Sequence, residues 1–409
     1  MRRKPARHTE RGFDRLINFT DAVVAIAATL LVLPLITTVS GFTDDPDTTL
    51  LLQRDTWLSI LWFVVTFWIV TIFWKVHHEL FEEIRDYDLR LMILVFAWLA
   101  AIVFLTIPAG LQTYAKPDNF LGFMYFGAMA AISGLAALMG KYVDQHRELL
   151  VNPDKYSWTP AVLLYPALFF TQGLLSKVPV IGDYASYAGF FLLPVIGSFV
   201  ARYSDAPPAH TERGFDRVVN FSDAVVAIAI TLLVLPLIDL VSDYPNTNSL
   251  GEDWQLKLYA FLLTFFVMAR YWLKHHGIFE RITDYSSGLI VRSFIWLGLM
   301  VFLAFPAGLV GEEDAEPGIT LMYLATMALI TFFAYAIDSY AHQHREIIQE
   351  DSTKPDRVAL FISGYLLALG LLSFVLELSI DIEVYWFLLG VLALPIIGRV
   401  RQRQNQPAD

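Results

Sequence analysis

The amino-acid sequence predicts an all-α integral membrane protein of 12 transmembrane helices, arranged as two parallel six-helix repeats about a common axis. Three observations lead there. The 409 residues are 56% hydrophobic and only 17% charged, too apolar for a soluble chain of this length. Apolar runs of about 20 residues, the length that spans a ~30 Å hydrocarbon core as a helix, recur roughly twelve times at short intervals. The second half of the chain also repeats the first.

The first six runs fall at 13–38, 56–79, 91–111, 119–141, 158–177 and 184–202. The second six fall at 215–240, 254–279, 289–310, 318–341, 357–378 and 383–400. An outer-membrane β-barrel is not expected, because its signature is ten-residue segments of alternating polarity and these runs are continuously apolar. Lys and Arg gather at the amino end, around Arg85 and Arg90, around Lys141 and Arg147, and in the tail with Arg399, Arg401 and Arg403. By the positive-inside rule those segments, and both termini, are cytoplasmic. The alternate connections "FTDDPD" from Phe42, "GED" from Gly251 and "GEEDAE" from Gly311 are acidic and face outward. Part of the net charge of -11 sits there, either focusing cations or simply solvating the loops. With no cysteine, disulfides and thiolate chemistry are excluded. A full-length span follows the basic start at once, so no cleaved signal peptide is expected.

From His8 to Ile36 against His210 to Ile238, 25 of 29 positions are identical; the four exceptions are Leu16/Val218, Ile17/Val219, Thr20/Ser222 and Ala28/Ile230. Weaker copies follow: "FWKVHHELFEEIRDY" from Phe73 answers "YWLKHHGIFERITDY" from Tyr271, and "VFLTIPAGL" from Val103 answers "VFLAFPAGL" from Val301. Six spans per half is even, so the second half enters the bilayer the same way round as the first. The expected divisions are 1–203 for the first repeat, 204–212 for a polar cytoplasmic linker, 213–403 for the second repeat and 404–409 for the tail. Two equivalent first helices then face one another across the axis, where a central pore runs.

At about 100° per residue, Ala25, Ala28 and Val32 share a face with Asp21, while Ala22, Ile26, Thr29, Leu30 and Leu33 form a second stripe. The other half repeats both, as Asp223, Ala227, Ile230 and Val234, and as Ala224, Ile228, Thr231, Leu232 and Leu235. The small face suits close helix packing. Asp21 and Asp223 lie about two turns inside the apolar segment and need partners there. Arg15 points ~120° away from Asp21 on its own helix, so the candidates are His77, His78 and Arg85, with His275 and His276 in the other half. Pro34 and Pro236 are expected to kink or end the first helices.

"RLINFTD" (Arg15, Phe19, Thr20, Asp21) and "RVVNFSD" (Arg217, Phe221, Ser222, Asp223) resemble the Arg-x-x-x-Phe-Ser-Asp signature of the transmembrane protein 175 family of lysosomal and prokaryotic potassium channels. The resemblance covers the whole chain: two six-helix repeats, a "HH" pair on each second helix, and the signature at the start of each half. Thr20 stands where the pattern has Ser. The resemblance implies a double-repeat channel that assembles as a homodimer, with the first helix of each repeat lining the pore. By position it implies a pore isoleucine at Ile26 and Ile228 and a selectivity hydroxyl at Thr29 and Thr231. With Leu30, Leu33, Leu232 and Leu235 on the same stripe, the isoleucines form an expected hydrophobic gate that closes by dewetting.

No "TVGYG" carbonyl filter occurs, so K⁺ is expected to be favoured only weakly to moderately over Na⁺, through partial dehydration at the hydroxyls. No Arg-rich sensor helix is present, so the expectation is a leak without voltage steepness. The alternatives are a proton-permeable channel and a secondary cation transporter; the latter wants polar residues clustered at midplane, where this chain offers mainly Thr29 and Thr231. K⁺ and other monovalent cations, the lipid bilayer and a second copy are the expected partners, with no nucleic acid, cofactor or resident metal. A prokaryotic plasma membrane is the expected location, an endosomal or lysosomal membrane the alternative.

Other motifs are set aside. The "NFT" and "NFS" sequons lie at a cytoplasmic helix end, and adjacent histidines diverge by ~100° without an HExxH context. "HQHRE" from His342 reads as a solvated helix end. Trp57, Trp74, Trp158, Trp254 and Trp272 read as interface anchors. Glu377, Arg292 and Asp338 have no ionisable counterparts in the other repeat. There is no Walker loop, dinucleotide fingerprint or acid/base pair, so enzymatic chemistry is not expected.

Overall fold

The computed structural model describes residues 9–39, 54–114, 119–178, 211–238, 253–310, 318–350 and 352–379. Among these the chain is helical, without a β-strand, and nine helices are long and apolar enough to cross a membrane. The expected spans at 184–202 and 383–400 lie outside the described residues.

The helices are α1 Glu10–Leu30, α2 Leu33–Val39, α3 Arg54–Glu82, α4 Leu89–Tyr114, α5 Asn119–Gln145 and α6 Leu164–Leu175, then α7 Glu212–Leu232, α8 Asp253–Phe279, α9 Ser287–Phe302, α10 Ala304–Val310, α11 Ile319–Gln343 and α12 Val358–Ser379. A 3-10 turn, Pro160–Leu163, leads into α6. The chain clusters into two compact units, one of Met1–Pro34 with Leu61–Phe221, the other of Leu35–Ile60 with Ser222–Asp409. In the first, α1 packs on α4, α4 on α5 and α5 on α6. In the second, α11 is central, packed by α8, α9, α10 and α12.

Helix starts and stops follow local chemistry. The Thr9 hydroxyl accepts from the Gly12 amide at 3.1 Å, and the Thr211 hydroxyl from the Gly214 amide at 3.0 Å, so one repeated threonine caps both first helices. Proline ends them. A proline ring collides with the carbonyl four residues before it and brings no N–H. Accordingly α1 stops at Leu30, four before Pro34, and α7 at Leu232, four before Pro236. The turn tightens there, with Val32 N bonded to Thr29 O at 3.2 Å and Val234 N to Thr231 O at 3.3 Å. Likewise α9 stops at Phe302, four before Pro306, whereas α4 runs unbroken through Pro108.

Each unit carries matching local contacts. Thr66 and Tyr125 hydroxyls meet at 3.0 Å, as do Thr264 and Tyr323. Single antiparallel bridges tie Ile84 to Leu150 and Ile282 to Ile348 at the end rich in basic residues. The glycine of each "PAG" lies against the proline that ends the first helix. A Cβ at Gly110 would fall 2.9 Å from Pro34 Cγ, and one at Gly308 3.3 Å from Pro236 Cγ. Beyond α5, burial, with Asp144 and Glu83 nearby, raises the pKa of the Tyr156 hydroxyl; it stays protonated and donates to Gly140 O at 3.3 Å.

Candidate functional site

Asp21 is 3% exposed at the start of the buried stretch of α1. Trp74 Nε1 donates to its Oδ1 at 2.9 Å, and Arg217 of α7 grips the carboxylate through Nε at 3.0 Å and Nη2 at 2.8 Å. Arg217 Nη1 donates to His78 O at 3.3 Å. A bidentate guanidinium with a third donor satisfies a carboxylate that low-dielectric burial would otherwise penalise by several kcal/mol. The Phe221 ring lies 4.4 Å from Trp74, and the His78 ring stacks on the same indole at 4.8 Å. Toward the N-terminal ends of the two first helices, the Thr211 hydroxyl donates to Glu82 Oε1 at 2.9 Å, and Arg213 Nε pairs with Asp14 at 3.2 Å. The second signature, Arg217 with Phe221, is thus docked on the first helix's carboxylate and the α3 indole.

The partners of Asp21 therefore differ from those expected. Neither histidine side chain nor Arg85 reaches it; Arg85 Nε donates to Glu148 O at 3.1 Å. His77 is wholly buried in a stack, 4.1 Å from the Phe81 ring and 4.6 Å from Trp98. His275 sits in the same stack, 4.3 Å from both Phe279 and Trp296. The second histidine of each pair faces the carboxylate four residues on: His78 Nε2 is 3.8 Å from Glu82 and His276 Nε2 3.3 Å from Glu280. Among the described residues no group of three His, Cys, Asp or Glu stands close enough to hold a metal.

Trp74 and Trp272 were expected as interface anchors, and that reading is corrected. Trp74 is fully buried, and Trp272 Nε1 donates to Asp223 Oδ1 at 2.8 Å. An indole serves here because it is the apolar side chain that still carries a strong donor. The signal lay in its fixed place three residues before the histidine pair in both halves. Three charges without repeat counterparts also find partners. Glu377 accepts from the Gly318 amide, Arg292 lies 4.1 Å from the Tyr340 ring centroid, and Asp338 holds Arg281 at 3.0 Å and His342 at 3.3 Å. His342, on the "HQHRE" end, is thus engaged by Asp338 and by Ser352 at 3.2 Å.

The rest of α1 divides by face. Ala25, Ala28 and Val32 are fully buried, while Ile26, between two buried alanines, is 45% exposed. From Asp21 to Val32 it is the one exposed residue. Leu30 and Leu33 are half-buried. Thr29 is fully buried, its hydroxyl turned to Ala25 O at 3.0 Å and Ile26 O at 2.8 Å. Thr20, also buried, donates to Leu16 O at 2.8 Å. On α7, Ile228 and Leu232 are half-buried, as is Leu235 just beyond its end, and exposed Thr231 donates to Ile228 O at 2.7 Å. Ser222 is buried. Both threonines thus bend their hydroxyl protons back to the helix. An uncharged aliphatic stripe with hydroxyl oxygens one turn on offers no nucleophile or general base; it can exclude water or strip part of a hydration shell.

The family model described as "Endosomal/lysosomal potassium channel TMEM175" matches the chain twice, over residues 15–106 and 217–304. Each match opens on the signature arginine. The chain is 28% identical to the endosomal/lysosomal proton channel TMEM175 of Homo sapiens over 303 residues, 65% of this chain and 59% of that protein. It is 26% identical to the Danio rerio protein of the same name, over 68% of this chain and 60% of that one. The chain therefore spans about 60% of the length of these two relatives. A potassium channel of Chamaesiphon minutus is 36% identical over 114 residues, 27% of this chain and 55% of that one. With the signature, the paired histidines and both first-helix segments matched, the chain belongs to the TMEM175 family of channels.

Proposed function

We propose that the chain is a potassium-permeable cation channel of the leak type, assembled from two copies whose four first helices line one pore. In this reading the 12 helices form two parallel six-helix repeats with both termini cytoplasmic, in a prokaryotic plasma membrane. Ile26 and Ile228, backed by Leu30, Leu33, Leu232 and Leu235, form a gate that closes by excluding water, and of the two threonines expected as a hydroxyl layer Thr231 is open to face the pore while Thr29 is sealed within its own chain. One observation carries the reading: from Asp21 to Val32 every residue is buried or half-buried except Ile26, which is 45% exposed. A lone outward isoleucine on a membrane helix is unremarkable against lipid. On the helix that the family match opens with, it is the side chain a neighbouring first helix would meet across an axis.

Permeation is tested in a planar bilayer with K⁺ on one side and Na⁺ on the other. Discrete currents that reverse toward the K⁺ potential support the proposal, and saturable flux without unitary events overturns it. Ile26→Asn, which wets the constriction, is expected to raise the current at fixed voltage. The names of the eukaryotic relatives favour a second reading, a proton-permeable pore. A reversal potential that follows an imposed pH gradient at equal K⁺ distinguishes it.

A further inference from the structure

We infer that an acidic phospholipid, in the leaflet at the carboxyl end of α8, binds that helix through Arg270 and Lys274. The inference goes beyond the channel reading and rests only on α8 crossing the membrane, for which Trp254–Phe279 is long and apolar enough.

Both side chains are exposed, on the arc of α8 turned away from Met268 and His275, which are buried against the rest of their unit. The two cations lie ~40° apart around the helix. Phe266, one turn before Arg270, is 64% exposed, and Leu273, between the cations along the axis, is 55% exposed. Centred on a ~30 Å hydrocarbon core, a helix of 27 residues and ~40 Å projects ~5 Å at each end. Arg270, nine residues before Phe279, then lies ~8 Å inside the core boundary, and Lys274 close to it. Both apolar stems can carry their charge to the headgroup layer.

The first repeat is built differently at the same level. Ile72 and Val76 stand at the matching positions, 39% and 45% exposed, and the cation on that stretch, Lys75, is paired with Glu79 one turn on. In the second repeat Leu273 and Gly277 replace that pair. Two cations are thus gained on an exposed face, and the carboxylate at that level is lost. Among the described residues Arg270 and Lys274 have no hydrogen bond, ion pair or ring contact. The nearest carboxylate in sequence, Glu280, points ~120° from Lys274 and faces His276 at 3.3 Å. Gly277 continues the stripe toward the helix end, and a Cβ there would meet nothing within 4 Å, so the surface beside the cations is open.

This pattern fits a phosphodiester. Side chains four apart on a helix are neighbours, so the guanidinium can grip two phosphate oxygens while the ammonium shares one. The acyl chains then lie along Phe266 and Leu273. A zwitterionic lipid would bring an ammonium into a patch that already holds two cations. A headgroup of net negative charge does not, which selects acidic lipid.

The chain has no cysteine, so Gly277→Cys can carry a single environment-sensitive fluorophore beside the cations. The detergent-purified full chain is titrated with phosphatidylglycerol, phosphatidylcholine or inorganic phosphate. Phosphatidylglycerol is expected to saturate the signal at a mole fraction roughly tenfold or more below phosphatidylcholine, with no response to inorganic phosphate. Arg270→Ile/Lys274→Val, which installs the first-repeat residues, should erase the preference and keep the unfolding midpoint. Lys354→Gln/Arg357→Gln removes the same charge from exposed positions before α12 and should leave the preference intact. Equal response to the two lipids overturns the inference, as does a response to inorganic phosphate or a preference that survives Arg270→Ile/Lys274→Val. A preference lost equally in Lys354→Gln/Arg357→Gln marks diffuse attraction and overturns it too. Should the α8 double variant not fold, Arg270→Gln and Lys274→Gln decide singly, and a preference unchanged in both overturns the site. The titration needs no ion current, so its failure leaves the channel reading standing, and absence of K⁺ current leaves the lipid site standing.

Discussion

Replacing His77 with Phe is expected to stabilise the protein. The imidazole is 0% exposed and held between the Phe81 and Trp98 rings at 4.1 and 4.6 Å, with interplanar angles of 19° and 20°. Among the described residues neither of its ring nitrogens has a hydrogen-bond partner. Each buried, unpaired polar group costs about 1–3 kcal/mol, and replacing it with an apolar group of similar shape removes that cost. Two nitrogens set the gain at ~2–6 kcal/mol, offset by the ~1–3 kcal/mol that the larger phenyl ring costs in a packed stack. The net change spans about −1 to +5 kcal/mol and centres on a gain of roughly 2 kcal/mol. His77→Ala, which empties the same slot, should lose ~3 kcal/mol or more. His275→Phe should gain less, since Nε2 is the one unpaired buried nitrogen there. Fluorescence-detected thermal unfolding of the detergent-purified protein reads the series. If His77→Phe lowers the midpoint while His77→Gln holds it, the nitrogens have a polar partner and the reasoning is refuted.

Three further outcomes follow from the same contacts. Gly110→Ala should cost about 1–3 kcal/mol, because its Cβ would stand 2.9 Å from the rigid Pro34 ring, whereas Gly308→Ala, at 3.3 Å from Pro236, should cost less; paired unfolding midpoints check the order. Arg217→Leu leaves Asp21 buried without its cation and should lose ~3–5 kcal/mol, a loss that Arg217→Leu/Asp21→Leu partly recovers; equal midpoints for the two variants would count against a strong pair. Tyr125→Phe and Tyr323→Phe each remove one hydroxyl contact of 3.0 Å and should each cost about 0.5–1.5 kcal/mol, the same in both halves, as urea or thermal titration would show.

Helix existence was legible in the sequence because a membrane span is set by length and apolarity alone, and the described spans fall within a few residues of the apolar runs. The two faces of α1 were legible for the same local reason: Ala25, Ala28 and Val32 are buried and Ile26 is not. Proline placed the helix ends, but the break falls four residues before each ring, where the displaced carbonyl sits. The partners of Asp21 were not legible. A helical wheel ranks neighbours on one helix, and Arg217 lies 196 positions away along the chain, in the copy of the very segment being read. Burial of Thr29 was equally hidden, because its angle on the wheel places it beside Ile26, while neighbouring helices decide which of the two is covered.

The near-identity of α1 and α7 becomes informative once their surroundings are compared. Two helices in unlike environments are free to diverge wherever one is packed and the other is open. Ala28 and Ile230 did diverge, and they are fully buried and half-buried respectively. Arg15 and Phe19 did not, although both are open in the single chain and their copies Arg217 and Phe221 are sealed. An exposed phenylalanine six residues into an apolar stretch gains nothing from identity with a buried one unless it meets the same surface. The acidic half of that surface is also retained, with an indole three residues before the histidine pair in both halves and bonded to the helix carboxylate each time.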